Sequence, residues 1–274
     1  MNSRRGFIGT SLAAAGALSL PALASAQDRR GARSTPANLA IDLVNNTGSD
    51  SVHAYVTGLA IDHGNALILL RADGRTPYYP SSPPSPLSPV GADIAIPLHA
   101  PGAAPKRITV PHLAGARLWF SVGSKLTFYL DPGPTLVQPS VSNLSDPNIH
   151  KMWDFCEFTY DSAQIFANIS AVDFVCLPVG LHLTDTSGGH QTVHGLPAGG
   201  VDKVCSGLAA QALRDGHGWD KLVYTAGGKH LRALSPYNGM VIDQSLFSGY
   251  LSGISTRTRP SSQARPGGRQ GVRV

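Results

Sequence analysis

The sequence is poor in charge, in aromatic rings and in cysteine. Charged residues make up 14% of its 274 positions and aromatic residues 7%, and the only cysteines are Cys156, Cys176 and Cys205. An odd number leaves at least one thiol unpaired, and the apolar neighbours of all three predict buried thiols. No G-x-S-x-G segment occurs, which argues against a serine hydrolase of the nucleophile-elbow type. The glycines at 227–228 lack the other residues of a phosphate-binding loop.

The first 26 residues have the features of an export signal. Arg4 and Arg5 form a twin-arginine pair, an apolar run free of acids follows from Ile8 to Leu23, and the small residues at 24–26 supply a cleavage site. The alternative is a membrane helix, but the run is short and rich in Ala and Gly. We expect a twin-arginine signal peptide over 1–26, a linker over 27–37, and a secreted or periplasmic protein with no membrane association after cleavage.

The C-terminal segment, residues 253–274, differs from the rest of the chain. It holds five arginines, no acid and no periodic apolar pattern, so it predicts a disordered tail. A basic tail that binds anionic polymer is one interpretation. A shifted reading frame or a truncation after Ser252 is the other, which we favour. Setting aside two leader and five tail arginines from the 22 basic residues leaves 15 against 17 acidic ones. The remaining net charge of −2 gives no reason to expect nucleic-acid binding.

The middle of the chain predicts a mainly β protein. Its 30 glycines and 21 prolines separate short apolar runs, as in strands joined by turns. A change follows the Gly- and His-rich segment 182–200, which predicts a connecting loop: apolar residues at helical spacing indicate a helix over 201–214, and 221–225 reads as a strand. We therefore expect a β domain over 38–181 and a partial mixed α/β domain over 182–252. Strands are predicted at 39–44, 52–59, 66–70, 95–98, 107–110, 116–122 and 126–130.

The segment from Trp153 to Pro178 carries the candidate chemistry. It contains two strand-like pieces, and on the first a period of two places Trp153, Glu157 and Thr159 on one face. An aromatic ring, a carboxylate and a hydroxyl on one face could form a sugar-binding floor. On the second piece Asp173 lies between Val172 and Phe174, an unfavourable place for a charge unless it is paired or faces a cleft. From periodicity alone, both acids could equally be polar residues of a solvated edge.

This segment resembles the signature region of glycoside hydrolase family 64, bacterial β-1,3-glucanases with a thaumatin-like β-barrel. The matching runs are WDFCEFTYD (Trp153–Asp161) and ANISAVDFVCLP (Ala167–Pro178). The resemblance implies a thaumatin-like barrel or sandwich with a smaller mixed α/β module and a cleft between them. It also implies an endo-acting enzyme that inverts the anomeric carbon of β-1,3-glucan and releases short laminari-oligosaccharides.

By the same resemblance, Glu157 is the general acid and Asp173 the general base. An apolar wall beside the acid would raise its pKa by desolvation. Inversion requires the two carboxyls to lie about 6.5–9.5 Å apart, with room for a water molecule. Trp153, Thr159, Asp161 and Asn168 are candidate substrate contacts. Asp161 stands where relatives commonly have asparagine, and it, Thr159 and Asn168 could equally satisfy a turn or a strand end.

Strand pairing poses a geometric difficulty. A hairpin that turns near residues 162–163 sets Glu157 opposite Asn168, which leaves Asp173 about 17 Å further along the strand at about 3.4 Å per residue. A catalytic pair therefore requires a bulge, a bend or a strand switch near 168–170, or else a different pairing.

A rival site consists of His182, Asp185, His190 and His194, whose spacing is compatible with metal binding. We favour a cleft-lining loop over a metal site there, because a Gly-rich segment offers no scaffold. Neither a cofactor nor a metal is expected, and the predicted partner is β-1,3-glucan, bound by a monomer. The alternatives are a glucan-binding protein without turnover and an inactive remnant of such an enzyme.

Overall fold

The computed structural model describes residues 34–239 and 247–257. The predicted signal peptide, most of the linker and residues 258–274 of the predicted tail lie outside the described residues. The strands are β1 Asn38–Leu43, β2 Val52–Ala60, β3 Ala66–Leu70, β4 Pro77–Tyr78, β5 Ser88–Pro89, β6 Ile96–Pro97, β7 Lys106–Pro111, β8 Leu113–Val122, β9 Tyr129–Asp131, β10 Thr135–Val137, β11 Met152–Tyr160, β12 Ile165–Ile169, β13 Phe174–Val175, β14 Leu181–Thr184, β15 His190–Val193, β16 Val223–Ala226 and β17 Lys229–Leu234; the α-helices are α1 Gly200–Asp215, α2 Pro236–Gly239 and α3 Ser248–Arg257.

A seven-stranded antiparallel sheet forms the centre of the fold. Its strands follow the order β12-β11-β8-β2-β3-β4, and β6 pairs with β2 beside β3. The long central strands β2, β8 and β11 are apolar over most of their length and are buried on both faces. The sheet therefore separates two hydrophobic cores, one on each face.

Aliphatic side chains predominate in one of these cores, and aromatic rings are concentrated in the other. On the first face, Leu118, Cys156 and Phe158 pack with residues of the β1–β7 pair, such as Ile108. The second face carries Trp119, Trp153, Phe155, Tyr55, Phe128 and Phe174, whose rings meet at centroid distances between 4.8 and 6.1 Å. Alternation along β11 thus places Trp153, Phe155, Glu157 and Thr159 on the aromatic face, as the period of two predicts.

Residues 200–234 form the mixed α/β part. Helix α1 contacts β16 and β17, and the sheet order β13-β17-β16 joins these strands to Phe174–Val175. This pairing crosses the boundary predicted at 181/182, so the short strand that follows Asp173 belongs to the sheet of the later residues. The division into two domains stays a prediction.

The predicted secondary structure agrees with the structure over most of the described residues, and the main disagreement is at the Gly- and His-rich segment. Each of the seven predicted strands overlaps an observed one, the predicted helix lies within α1, and the mainly β fold is confirmed. The loop predicted over 182–200 is wrong in its first half, where β14 and β15 form a hairpin closed by a turn at Asp185. The strand predicted from Lys221 begins at Val223, after a 3-10 turn.

The C-terminal described helix, α3, extends to Arg257 and so includes the first five residues of the predicted tail. Within the described ranges, no helix is both long and apolar enough to cross a bilayer. All three cysteines are free and buried, as predicted. Burial raises the pKa of the Cys156 and Cys176 thiols to about 12, so both are neutral at ordinary pH.

Candidate active site

Glu157 lies near the end of β11, between two partner strands. The register sets it directly opposite Asn168 of β12 and Arg117 of β8. Of the pairings left open by the sequence, the structure shows the simple hairpin that sets Glu157 opposite Asn168. Because directly opposed side chains on one face of a sheet are neighbours, both partners can reach the carboxylate.

Two side chains hold the Glu157 carboxylate. Arg117 Nε donates to Oε1 at 3.0 Å, and Asn168 Nδ2 lies 3.5 Å from Oε2, at the outer limit of a hydrogen bond. The Glu157 side chain keeps 36% of its surface exposed, and that of Arg117 keeps 29%. The carboxylate is therefore accessible to a ligand yet held in one orientation.

Arg117 connects Glu157 to the aromatic core. Its Nη1 donates to Gln138 Oε1 at 2.5 Å, and its guanidinium carbon lies 4.4 Å from the centre of the Phe155 ring and 5.4 Å from that of Trp119. A guanidinium stacked on rings loses little orientational freedom when it binds a carboxylate. The aromatic rings expected to wall the Glu157 carboxylate thus support the cation that binds it.

Asp173 follows the point where the chain leaves the central sheet. Strand β12 ends at Ile169, and after a bend at 172–173 the chain enters β13, which pairs with β17 in another sheet. The Asp173 carbonyl accepts a hydrogen bond from the Ser235 amide at 2.8 Å. β11 and β12 thus form a simple hairpin, and the chain then switches to another sheet before Asp173. This strand switch is one of the alternatives that a catalytic pair requires.

A cavity of about 170 Å³ lies between the Asp173 segment and the central sheet. Its lining includes Asp173 and Arg117 together with Pro139, Ser140, Val141, Ser142, Trp153, Phe155 and Phe174. Arg117 thus touches both the cavity that Asp173 lines and the Glu157 carboxylate. Asp173 therefore lies beside a cavity on the aromatic face of the sheet, the face on which alternation along β11 places Glu157.

The other predicted contacts divide into two groups. Asn168 and Thr159 flank Glu157, Asn168 across the strand pair and Thr159 two residues along the same face; Thr159 Oγ1 accepts the Gly115 amide at 3.3 Å. Trp153 is only 1% exposed, so it forms an inner wall rather than an open stacking surface. Asp161 occupies the hairpin turn, where it accepts the amides of Ala163 and Gln164, and these bonds lower the pKa of its carboxyl.

The comparisons with known proteins bear on this arrangement. The family described as beta-1,3-glucanase, glycoside hydrolase family 64, matches residues 37–255. This chain belongs to glycoside hydrolase family 64. A glucan endo-1,3-beta-glucosidase of Cellulosimicrobium cellulans is 30% identical over 212 residues, which are 76% of this chain and 36% of that protein. An Arthrobacter enzyme of the same name is 29% identical over 212 residues, which are again 76% of this chain and 36% of that protein. The chain spans about a third of the length of these curated relatives.

Solved structures show the same fold. A laminaripentaose-producing beta-1,3-glucanase in complex with laminaritetraose superposes with a TM-score of 0.71 at 28% identity, over 81% of this chain and 60% of the other. A family 64 laminaripentaose-producing enzyme from Paenibacillus barengoltzii superposes with a TM-score of 0.59 at 24% identity, over 82% of this chain and 54% of the other. The second likeness concerns the fold alone. The family assignment made from the sequence motifs is confirmed.

Two residues of this family 64 site were missed from sequence. Arg117 stands 40 residues before Glu157, and only the β8–β11 register shows that they are neighbours. The other is Asp154, whose buried carboxylate accepts hydrogen bonds from three backbone amides, two of them in the segment that follows Asp173. An acidic residue inside an otherwise apolar strand was the available signal.

The histidine cluster does not assemble as a metal centre. The His182 and His190 rings stack across the β14–β15 hairpin with their centroids 5.4 Å apart. The Nδ1 atom of His182 forms a hydrogen bond with the Thr192 hydroxyl, and that of His190 with the Thr184 hydroxyl. Asp185 caps the hairpin turn by accepting the Ser187 and Gly189 amides. In the part of the chain that the structure describes, no three His, Cys, Asp or Glu side chains converge to hold a metal ion.

Proposed function

We propose that this chain is an endo-acting β-1,3-glucanase that inverts the anomeric carbon, with Glu157 as general acid and Asp173 as general base. The observation that carries the proposal is the shared position of Arg117, which binds the Glu157 carboxylate and lines the cavity that contains Asp173. Glycoside hydrolysis uses two carboxyl groups that flank the scissile bond, and we assign these roles to Glu157 and Asp173.

The chemistry assigns different tasks to the two acids. The glycosidic oxygen leaves readily only when it is protonated, so Glu157 donates a proton to it as the C–O bond breaks. Asp173 accepts a proton from a water molecule that attacks the opposite face of the sugar ring. Because attack and departure occur on opposite faces, a β-linkage gives an α-configured product, and the free enzyme is restored after one proton exchange with solvent.

Substrate class is proposed from the relatives. The curated ones are named for glucan endo-1,3-beta-glucosidase activity, and one structural neighbour is a complex with laminaritetraose. We infer that β-1,3-glucan chains bind along the exposed Glu157, Asn168 and Thr159 surface. The buried Phe155 and Trp153 rings underlie this surface and keep it rigid.

Export and fold type complete the proposal. The arginine pair and the apolar run within residues 1–26 support export to the periplasm or out of the cell, and we propose that the mature chain is a monomer. The β sheets and the α1 module support the thaumatin-like arrangement of barrel and α/β module named by the resemblance.

Purified residues 27–274 are expected to hydrolyse laminarin and to release the α-anomer first. Proton NMR of the anomeric region during the first minutes distinguishes this product from the β-anomer of a retaining enzyme. Cellulose, which is β-1,4-linked, serves as the linkage control. Initial appearance of the β-anomer would contradict inversion. Binding to insoluble β-1,3-glucan without hydrolysis would favour the glucan-binding alternative, and a chain that is neither bound nor active would favour the remnant.

Replacing Arg117 by Met should lower kcat/KM for laminarin by about tenfold or more, because Glu157 loses the donor that orients it. The Met side chain can still pack on Phe155. Stability should change by less than about 1 kcal/mol, since the ion pair is partly exposed. Arg107→Met is the matched control, because Arg107 forms the equivalent cross-strand pair with Asp42 away from the site. Equal activity of the two variants would contradict a role for Arg117.

A further inference from the structure

Asp154 is a buried carboxylate that lies three residues before Glu157 on the same strand. Only 5% of its surface is exposed. Its Oδ1 accepts the Phe155 amide at 2.8 Å, and its Oδ2 accepts the amides of Cys176 and Leu177 at 3.0 and 2.9 Å. Hydrogen bonds that backbone amides donate to a charged carboxylate are stronger than hydrogen bonds between neutral groups. Asp154 therefore attaches β11 firmly to residues 176–177.

The position of this attachment follows from the end of β12. The last pair between β11 and β12 joins Cys156 to Ile169, so β12 gives no backbone partner to Asp154. After Ile169 the chain leaves the central sheet and passes through Asp173. It comes back to β11 at Cys176 and Leu177, whose amides the Asp154 carboxylate accepts. One strand therefore carries Glu157 directly and holds the Asp173 segment through a side chain.

The Asp173 segment has further attachments among the described residues. Ser235 donates its amide to the Asp173 carbonyl, and β13 pairs with β17. The Phe174 ring packs edge-on against Trp153 at 4.8 Å, and the Arg232 guanidinium carbon lies 5.8 Å from the centre of the same ring. The Asp154 attachment differs from these because a carboxylate binds the backbone of the segment directly.

We propose that Asp154 is a positioning residue for hydrolysis, which sets the place of the Asp173 carboxylate relative to Glu157 by binding the backbone at Cys176 and Leu177. This inference rests on the proposed function. It assigns Asp154 no contact with substrate, because the carboxylate is buried and its described bonds are to backbone amides.

The environment of Asp154 makes the attachment sensitive to pH. Burial raises the pKa of its carboxyl to about 6, against the opposing effect of the three amides and of Arg232 on β17. The other groups near it are the Cys156 and Cys176 thiols, which are neutral. Since the pKa is higher in the folded than in the unfolded chain, protonation of Asp154 favours the folded state between about pH 6 and 4. Acidification should thus weaken the attachment without unfolding the protein through this group.

A pH titration of the wild-type chain tests the attachment without any substitution. In ¹H–¹⁵N NMR spectra, the amides of Phe155, Cys176 and Leu177 should shift together with one midpoint near 6. The amides of Arg75 and Thr76, which bond the exposed Asp73 carboxylate, should titrate near 2 instead. Absence of a common midpoint at the three Asp154 partners would overturn the attachment.

Kinetics of Asp154→Asn test the positioning role. An amide side chain has one acceptor oxygen, so at least one of the three backbone donors loses its partner. We expect kcat for laminarin to fall about ten- to a hundredfold with KM changed less than threefold, because a small misplacement of a catalytic group has effects of this size. If kcat of the wild type falls below about pH 6 in its pH profile, this fall should be absent from the profile of Asp154→Asn. Asp73→Asn, the same substitution in an exposed turn, should behave as wild type.

The double variant separates positioning from a general structural effect. If Asp154 acts through Asp173, Asp154→Asn should reduce the residual activity of Asp173→Asn by less than about twofold. Fully additive losses, or an unchanged kcat, would overturn the inference. If Asp154→Asn does not fold, the wild-type titration and the wild-type pH profile of kcat decide instead. An inactive wild type would refute the proposed function and the kinetic half of this inference, while the titration would still decide the attachment.

Discussion

Glu157→Gln is expected to reduce laminarin hydrolysis by about a hundred- to ten-thousandfold, the usual contribution of general acid catalysis. Glutamine has nearly the same shape and can still accept the Arg117 hydrogen bond, but it carries no proton that it can give to the leaving oxygen. Binding to insoluble β-1,3-glucan should therefore change little. Initial rates on laminarin and a pull-down on the insoluble polymer measure the two effects on the same preparation.

The control for this variant is Asp42→Asn. Asp42 is also a carboxylate paired with an arginine directly across two strands, at 2.6 Å from Arg107, but it lies on β1, outside the candidate site. Its removal should leave hydrolysis unchanged and cost less than about 1 kcal/mol, as for exposed ion pairs in general. Loss of activity in both variants would indicate damage to the fold, and activity retained in Glu157→Gln would exclude Glu157 as the acid.

The structure explains why local patterns located Glu157 but not its surroundings. A period of two assigned the faces of β11, and the turn at 162–163 set the register with β12, because both depend on residues close in sequence. The pairing of Arg117 with Glu157 depends on the register between β8 and β11, which shifts at a bulge near Phe158. Gly115, at a φ of 52° within β8, marks the bulge, but a glycine alone does not state which residues of the two strands are paired.

The hairpin at 181–193 was missed for a different reason. Every residue of β15 is exposed, so this strand shows no apolar alternation, and the segment 182–200 that contains it is rich in glycine and histidine. The hairpin is held by backbone pairing, by the Asp185 turn and by the threonine–histidine contacts. Periodicity detects burial, and a strand that buries nothing gives it no signal.

The strand switch before Asp173 was required by geometry but could not be located from sequence. The requirement came from the catalytic pair: a straight β12 would leave the two acids too far apart. What fixes the switch is the Asp154 carboxylate, together with the Ser235 amide from 62 residues further along the chain. Both contacts join residues that are distant in the sequence. The need for a bend can therefore be predicted from the sequence, but the residues that form it cannot.

Asp173→Ala is expected to reduce laminarin hydrolysis by about a hundred- to ten-thousandfold, as for Glu157→Gln, and azide should restore part of the lost activity. Removing the carboxylate leaves no base for water, but it also leaves space in which a small anion that needs no deprotonation can attack. Glu157 still protonates the leaving oxygen, so azide displaces it with inversion, and a β-linked glucan gives an α-glycosyl azide. Product NMR at increasing azide concentration measures this.

Glu157→Ala is the matched comparison for rescue, because it also removes a carboxylate and leaves space for a small anion. It retains Asp173 and lacks the proton donor, so azide should not restore its activity towards laminarin. Rescue of Asp173→Ala alone would assign the base to Asp173 and the acid to Glu157 in one experiment. A β-glycosyl azide from Asp173→Ala would instead require attack from the face of the departing oxygen, which contradicts inversion. Rescue of Glu157→Ala alone would reverse the two roles, with Asp173 supplying the proton and Glu157 activating the water.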